Sequence, residues 1–154
     1  MSISVLALDI GTNTGWAHSC GAGGVWDLSV GPDESTGYRL IKLRGMLNDI
    51  KHKYGVDLVV FEAPRNLRYG HATRVLAQFQ AVIEMWCIDN NVEYKGFSPT
   101  EIKRYATGSG HANKEQMLNA AKKKWPKIRD PNHADARWLL EMVCDTVLGE
   151  KCVN

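Results

Sequence analysis

Three carboxylates stand in this chain where apolar side chains would be expected. Asp9 closes the apolar run "LALD" and Glu62 closes "VVFE". Open α/β sheets present their ligands at the C-terminal ends of strands, so if the two strands are neighbours the acids meet. Asp135 precedes Trp138, Leu139 and Met142 by three, four and seven residues, which on a helix puts it in line with the buried stripe. Burying one unpaired carboxylate costs on the order of several kcal/mol, and gathering three raises their pKa values unless cations neutralise them. A divalent metal answers that need. Oxygen-only donors favour Mg²⁺ or Mn²⁺ over zinc, and no His/Cys cluster competes for the role. Two such ions about 4 Å apart would activate a water and stabilise the leaving oxygen of an in-line phosphodiester displacement, which is nuclease chemistry. Each acid also has a plainer reading. Asp9 could shape the "GTNTG" turn, Glu62 could simply precede the "APR" loop, and Asp135 could cap a helix or pair with Arg137 or Lys127.

The elements that must position these residues follow from periodicity. Ile3 to Asp9, Thr14 to Ser19 and Gly24 to Val30 read as three strands joined by glycine-rich hairpin connections. Leu40, Leu43, Leu47 and Ile50 recur at helical spacing between Ser35 and Tyr54. Leu58 to Phe61 is a continuous apolar strand of the kind buried in a parallel sheet. Val75, Phe79, Val82, Ile83 and Trp86 form a second helical stripe from about His71 to Asp89, and "VEYKGF" reads as a further strand. "SPTE" is a helix start with Ser98 as cap, Pro99 at the first position and Glu101 closing a capping box. Asn113 with Gln116 opens the helix that runs to Lys124. A last helix from "DPNHADA" turns Trp138, Leu139, Met142, Val143 and Thr146 inward. The expected fold is α/β, with a five-stranded mixed sheet whose first three strands are antiparallel, flanked by helices in a single domain over residues 1–154.

Composition excludes more than it assigns. With 44% hydrophobic and 23% charged residues the chain is ordinarily globular, and the composition gives no case for disorder. No apolar run is long enough to span a membrane, and nothing at the N-terminus resembles a signal peptide, so a cytoplasmic protein is expected. Four scattered cysteines without a C-x-x-C pair predict reduced thiols rather than a zinc knuckle or a disulfide framework. Neither G-x-x-x-x-G-K-[ST] nor G-x-G-x-x-G occurs, so no nucleotide cofactor is expected. A net charge of +2 creates no global field for nucleic acid. The basic residues are nonetheless clustered, in "KKKWPKIR" (Lys122 to Arg129) and as Arg65, Arg68 and Arg74 after Glu62.

"LALDIGTNTGWA", "VVFEAP", "PTEIKRYATGSGHANKEQM" and "NHADARWLL" together resemble, in order and spacing, the RuvC family of Holliday junction resolvases with the RNase H-like fold. The similarity covers nearly the whole chain, and its compact form looks like the phage-encoded branch. "DIGTNTG" alone also looks like the opening of actin and sugar-kinase ATPases and of CRISPR effector nuclease domains. The former need two such domains and the latter are far larger.

The resemblance implies a Mg²⁺-dependent homodimeric endonuclease, with Mn²⁺ substituting and two ions per site, that nicks four-way and other branched DNA symmetrically. For a phage-encoded protein the setting would be the host cytoplasm, in DNA recombination and repair. Related readings are an RNase H-like nuclease for forks, flaps or structured RNA, and a catalytically weak junction binder. Asp9, Glu62 and Asp135 become metal ligands, and Lys103 and Lys114 lie near the DNA. Lys114 opens its helix, where the dipole disfavours a lysine, so a phosphate or transition-state partner there would explain it. The family's fourth ligand falls three residues before Asp135, at Asn132, whose amide oxygen brings no charge. Asp130 and His133 are the other candidates, although Asp130 before Pro131 suits a helix cap and His133 points away from Asp135 on a regular helix. Arg65, Arg68 and Arg74 are expected at phosphates, and Tyr69 or Leu67 as a wedge at the crossover. Phe79, Val82, Ile83 and Trp86 could serve a dimer interface in part.

Overall fold

The structure, a computed structural model, describes residues 2–63 and 70–149. In chain order it contains β1 (Val5–Asp9), β2 (Asn13–His18), β3 (Gly23–Asp27), α1 (Tyr38–Tyr54), β4 (Leu58–Glu62), α2 (His71–Asp89), β5 (Glu93–Phe97), α3 (Pro99–Thr107), α4 (Lys114–Lys124) and α5 (Pro131–Val143). The strands form one sheet in the order β3-β2-β1-β4-β5. β1 to β3 pair antiparallel, while β4 runs parallel to both β1 and β5. This is the mixed sheet that the sequence predicts.

Strand alternation sorts the two faces. Leu6, Leu8, Val59 and Phe61 turn to one side and pack with Leu43, Leu47 and Ile50 of α1 and Phe79, Ile83 and Trp86 of α2. Val5, Ala7, Ala17 and Val60 turn to the other, beneath α3, α4 and α5. The two buried clusters make a three-layer sandwich. Because Phe79, Ile83 and Trp86 are at most 3% exposed, they belong to the core and cannot serve a dimer interface, which corrects that expectation.

Several boundaries shift for local reasons. β3 ends at Asp27 rather than Val30, because the Asp27 carboxylate accepts the Ser29 N–H in a tight turn. The expected capping box at Ser98 does not form. Pro99 in the first turn of α3 and the Ser98 carbonyl, which accepts from Ile102 N–H, hold that helix start. The box at Asn113 and Gln116 does form, in both directions. α5 gives way to a π-helical turn over Cys144–Leu148, which leaves Thr146 exposed rather than inward, its hydroxyl donating to the Met142 carbonyl. Cys20 and Cys87 are free thiols as expected, but Cys144 is disulfide-bonded, a correction that its isolated position in the sequence could not signal.

His18 is a buried polar residue of β2 with both ring nitrogens engaged. Nε2 donates to the Gly55 carbonyl at 2.8 Å and Nδ1 accepts from Cys20 N–H at 3.0 Å, an assignment that requires the neutral ring. Burial holds its pKa below the ordinary value, with the Gly55 bond working the other way. The unfolded chain therefore takes up this proton more readily, so the contribution is full above about pH 6.5 and is lost as pH falls below it through the lower folded value. Denaturant midpoints measured from about pH 8 to about pH 5 should fall more steeply in the parent than in His18→Leu. Equal slopes would remove His18 as the source.

Candidate active site

β1 and β4 are parallel neighbours with Leu8 opposite Phe61, so Asp9 and Glu62 end adjacent strands at the same edge. Alternation turns both toward the α5 face, Asp9 in line with Val5 and Ala7, and Glu62 in line with Val60. α5 crosses that face over β1, β2, β3 and β4, and its second turn carries Asp135 down onto the two acids. Asp9, Glu62 and Asp135 line one cleft of about 470 Å³ together with Lys103 of α3 and Lys114 at the first position of α4.

The approach of α5 is set by Gly15, which pairs with Asp9 across the β1–β2 ladder. A Cβ at Gly15 would lie 1.9 Å from the Asn132 carbonyl oxygen. Only a residue without a side chain lets the first turn of α5 rest on the sheet here. In the sequence Gly15 passes for a hairpin glycine, and periodicity does not reveal this contact. Its signal was its place beside Asp9, across the turn from a strand-end acid.

Electrostatics at the cleft follow from burial. Desolvation lifts Asp9 to about 7, opposed by the Lys114 ammonium and reinforced by the Asp135 and Glu62 charges. Glu62 is raised by burial and then by Asp135, with Lys103 and Lys114 opposing. Asp135 is raised by burial against Lys114. Lys114 Nζ lies 3.0 Å from Asp135 Oδ2, 3.0 Å from Asn132 Oδ1 and 3.6 Å from Asp9 Oδ2. Desolvation works against its charge, but the Asp9 and Asp135 carboxylates outweigh this and hold its pKa above the usual value. The lysine at the positive end of α4 thus has its anionic partners within the protein.

The remaining candidates divide. Asp130 caps α5, its Oδ1 accepting from the backbone N–H groups of Asn132 and His133, so it is a structural cap and not a cleft residue. The His133 ring lies against Gly23 of β3, where a Cβ would come within 2.4 Å of its Nε2. Being two residues from Asp135 on a regular helix, it points away from the acids, so neither Asp130 nor His133 joins the cleft. Asn132 reaches the cleft through Lys114. Arg74 is exposed in the first turn of α2, while Arg65, Leu67, Arg68 and Tyr69 lie outside the described residues.

The cleft is suited to a metal. Its donors are all carboxylate or amide oxygens, and Asp135 Oδ1 is buried without a hydrogen-bond partner. Among the described residues no three His, Cys, Asp or Glu side chains stand close enough to share an ion, and the Lys114 ammonium contacts both Asp9 and Asp135. The Lys114 side chain is 62% exposed.

A mixed five-stranded sheet with acids on two adjacent parallel strands and on the crossing helix defines an RNase H-like nuclease. The sequence profile described as "Crossover junction endodeoxyribonuclease RuvC" matches residues 20–137, and the chain belongs to that family. The matched stretch takes in Glu62, Lys103, Lys114, Asn132 and Asp135 and begins after Asp9, so the placement of Asp9 rests on the strand pairing. A crossover junction endodeoxyribonuclease RuvC of Ruegeria pomeroyi is 26% identical over 117 residues, spanning 75% of this chain and 70% of that protein. Among solved structures, Thermus thermophilus RuvC in complex with a Holliday junction substrate superposes with a TM-score of 0.74 at 18% identity, covering 90% of each chain. The yeast mitochondrial Holliday junction resolvase Ydc2 superposes at 0.59 and 13% identity, over 89% of this chain and 75% of that one. Nucleases of this family depend on a divalent metal. Among the described residues no helix is long and apolar enough to cross a membrane.

Proposed function

We propose that this protein, as a single nuclease domain acting in the cytoplasm, resolves four-way DNA junctions by phosphodiester hydrolysis at the cleft. The observation that carries the reading is the convergence of Asp9, Glu62 and Asp135 from β1, β4 and α5, with Lys103 and Lys114 on the same wall. Asp9, Glu62 and Asp135 would hold Mg²⁺, or Mn²⁺ in its place, as two ions. The bound metal supplies Lewis-acid stabilisation of the phosphate and lowers the pKa of the attacking water. Lys103 and Lys114 bring positive charge to the scissile phosphate, and α3 and α4 orient it between them. Water is the nucleophile, and the product ends are ones that a ligase rejoins.

Two strands of a junction must be cut, so a two-fold dimer suits the task. Ala77, Ala81, Met85 and Ile88 form an outward apolar stripe on α2, with Met85 54% and Ile88 68% exposed. This stripe, rather than the buried one first expected, supports pairing with a second copy. Met85→Glu with Ile88→Glu should sediment as a monomer and replace paired cuts by single nicks. Retention of the dimer would move the interface elsewhere.

The direct test incubates the protein with an immobile four-way junction, a replication fork and linear duplex, with and without Mg²⁺. Paired symmetric nicks in the junction alone are expected. Equal cutting of forks would widen the substrate class to branched DNA, and binding without cutting in Mg²⁺ or Mn²⁺ would make the protein a junction binder.

A further inference from the structure

The acidic centre is already occupied by a cation that belongs to the chain. An ammonium has three N–H donors, and Lys114 faces three oxygens: Asp135 Oδ2, Asn132 Oδ1 and Asp9 Oδ2. Two of these belong to carboxylates assigned above to metal ions. We propose that Lys114 is a built-in counter-cation competing with divalent metal for this centre, and that Asn132 is the positioning residue holding its ammonium there rather than a metal ligand. The proposal rests on the function inferred above.

Asn132 is suited to that task by its own fixation. Its backbone N–H is held at 2.7 Å by the Asp130 cap and its carbonyl rests over Gly15, so it sits on a turn of α5 fixed from both sides. A neutral amide oxygen accepts well from an ammonium and adds no charge to attract a divalent ion. Asp135 divides its two oxygens, with Oδ2 on Lys114 and Oδ1 buried and unpaired. A second cation entering at Oδ1 would meet the ammonium at close range, where like charges repel strongly. Lys114 can yield, because its side chain is 62% exposed and reaches solvent by rotating outward. A phosphate in the cleft would offer the released ammonium a new partner, so substrate and metal should reinforce each other's binding.

The test uses Mn²⁺ alone with the full chain, its dissociation constant read by calorimetry and electron paramagnetic resonance without DNA. Asn132→Ala keeps every charge and loosens Lys114, so it should tighten Mn²⁺ binding by roughly threefold, and Lys114→Met should do so by roughly tenfold. A ligand role for Asn132 gives the opposite sign. Unchanged or weaker binding in Asn132→Ala overturns the proposal. Should Lys114→Met fail to fold, Asn132→Ala decides alone. Asp9→Asn separates the two levels: if it binds Mn²⁺ as the parent does, the metal centre and this proposal both fall. If it loses Mn²⁺ while Asn132→Ala weakens binding, only this proposal falls.

Discussion

Asp9→Asn is expected to bind a four-way junction about as tightly as the parent and to cut it at least about a thousandfold more slowly. The substitution keeps shape and removes one charge. Asp9 ends β1 beside Glu62, faces α5, and is lifted to about 7 by burial, so it stands where a cation is most needed. Its loss leaves Glu62 and Asp135 too few charges to hold ions against the desolvation cost. Binding should persist, since Lys103 and Lys114 remain and phosphate affinity comes from basic groups. Asp49→Asn, on the exposed side of α1, should leave both quantities unchanged. Retained cleavage in Asp9→Asn would remove Asp9 from the metal centre.

Gly15→Ala is expected to destabilise the fold by about 3 kcal/mol or more. The added methyl would lie 1.9 Å from the Asn132 oxygen, 2.3 Å from its carbonyl carbon and 2.9 Å from His133 N. All three are backbone atoms of one helical turn, so no side-chain rotation relieves the overlap. α5 must lift, and it carries Asp135 with it, so cleavage should fall even where the variant is still folded. Gly45→Ala is the control. Gly45 lies inside α1 with nothing within 4 Å of a new Cβ, and the change should stabilise by about 0.5–1 kcal/mol. Denaturant unfolding of both variants checks the contrast. A loss below about 1 kcal/mol for Gly15→Ala would mean that α5 has slack over β2.

Much of this architecture was legible because it is periodic. The apolar runs ending in Asp9 and Glu62 placed acids at strand ends, and the spacing of Asp135 to Trp138, Leu139 and Met142 placed it on an inward helix face. What escaped was distance rather than direction. Periodicity says which way Gly15 and α5 face, and nothing of how closely their backbones approach. Asn132 and Lys114 meet through a hydrogen bond across two helices, a choice of partner that depends on the docked fold. On α2 the apolar positions form two stripes, and the larger side chains of the inner one masked Ala77, Ala81, Met85 and Ile88. Thr146 fell in register with the α5 stripe, but the change of helical pitch after Val143 rotated it outward.

The crossing of α5 over the sheet also bears on when this protein becomes dangerous to DNA. The hairpins β1–β2 and β2–β3 join near neighbours in the chain and can form early, whereas β1–β4 pairing and the docking of α5 join distant segments and close late. Asp9, Glu62 and Asp135 come together only through those two distant contacts. The cutting centre is thus a product of long-range closure: it is complete only where the β1–β4 pairing and the docked α5 coexist.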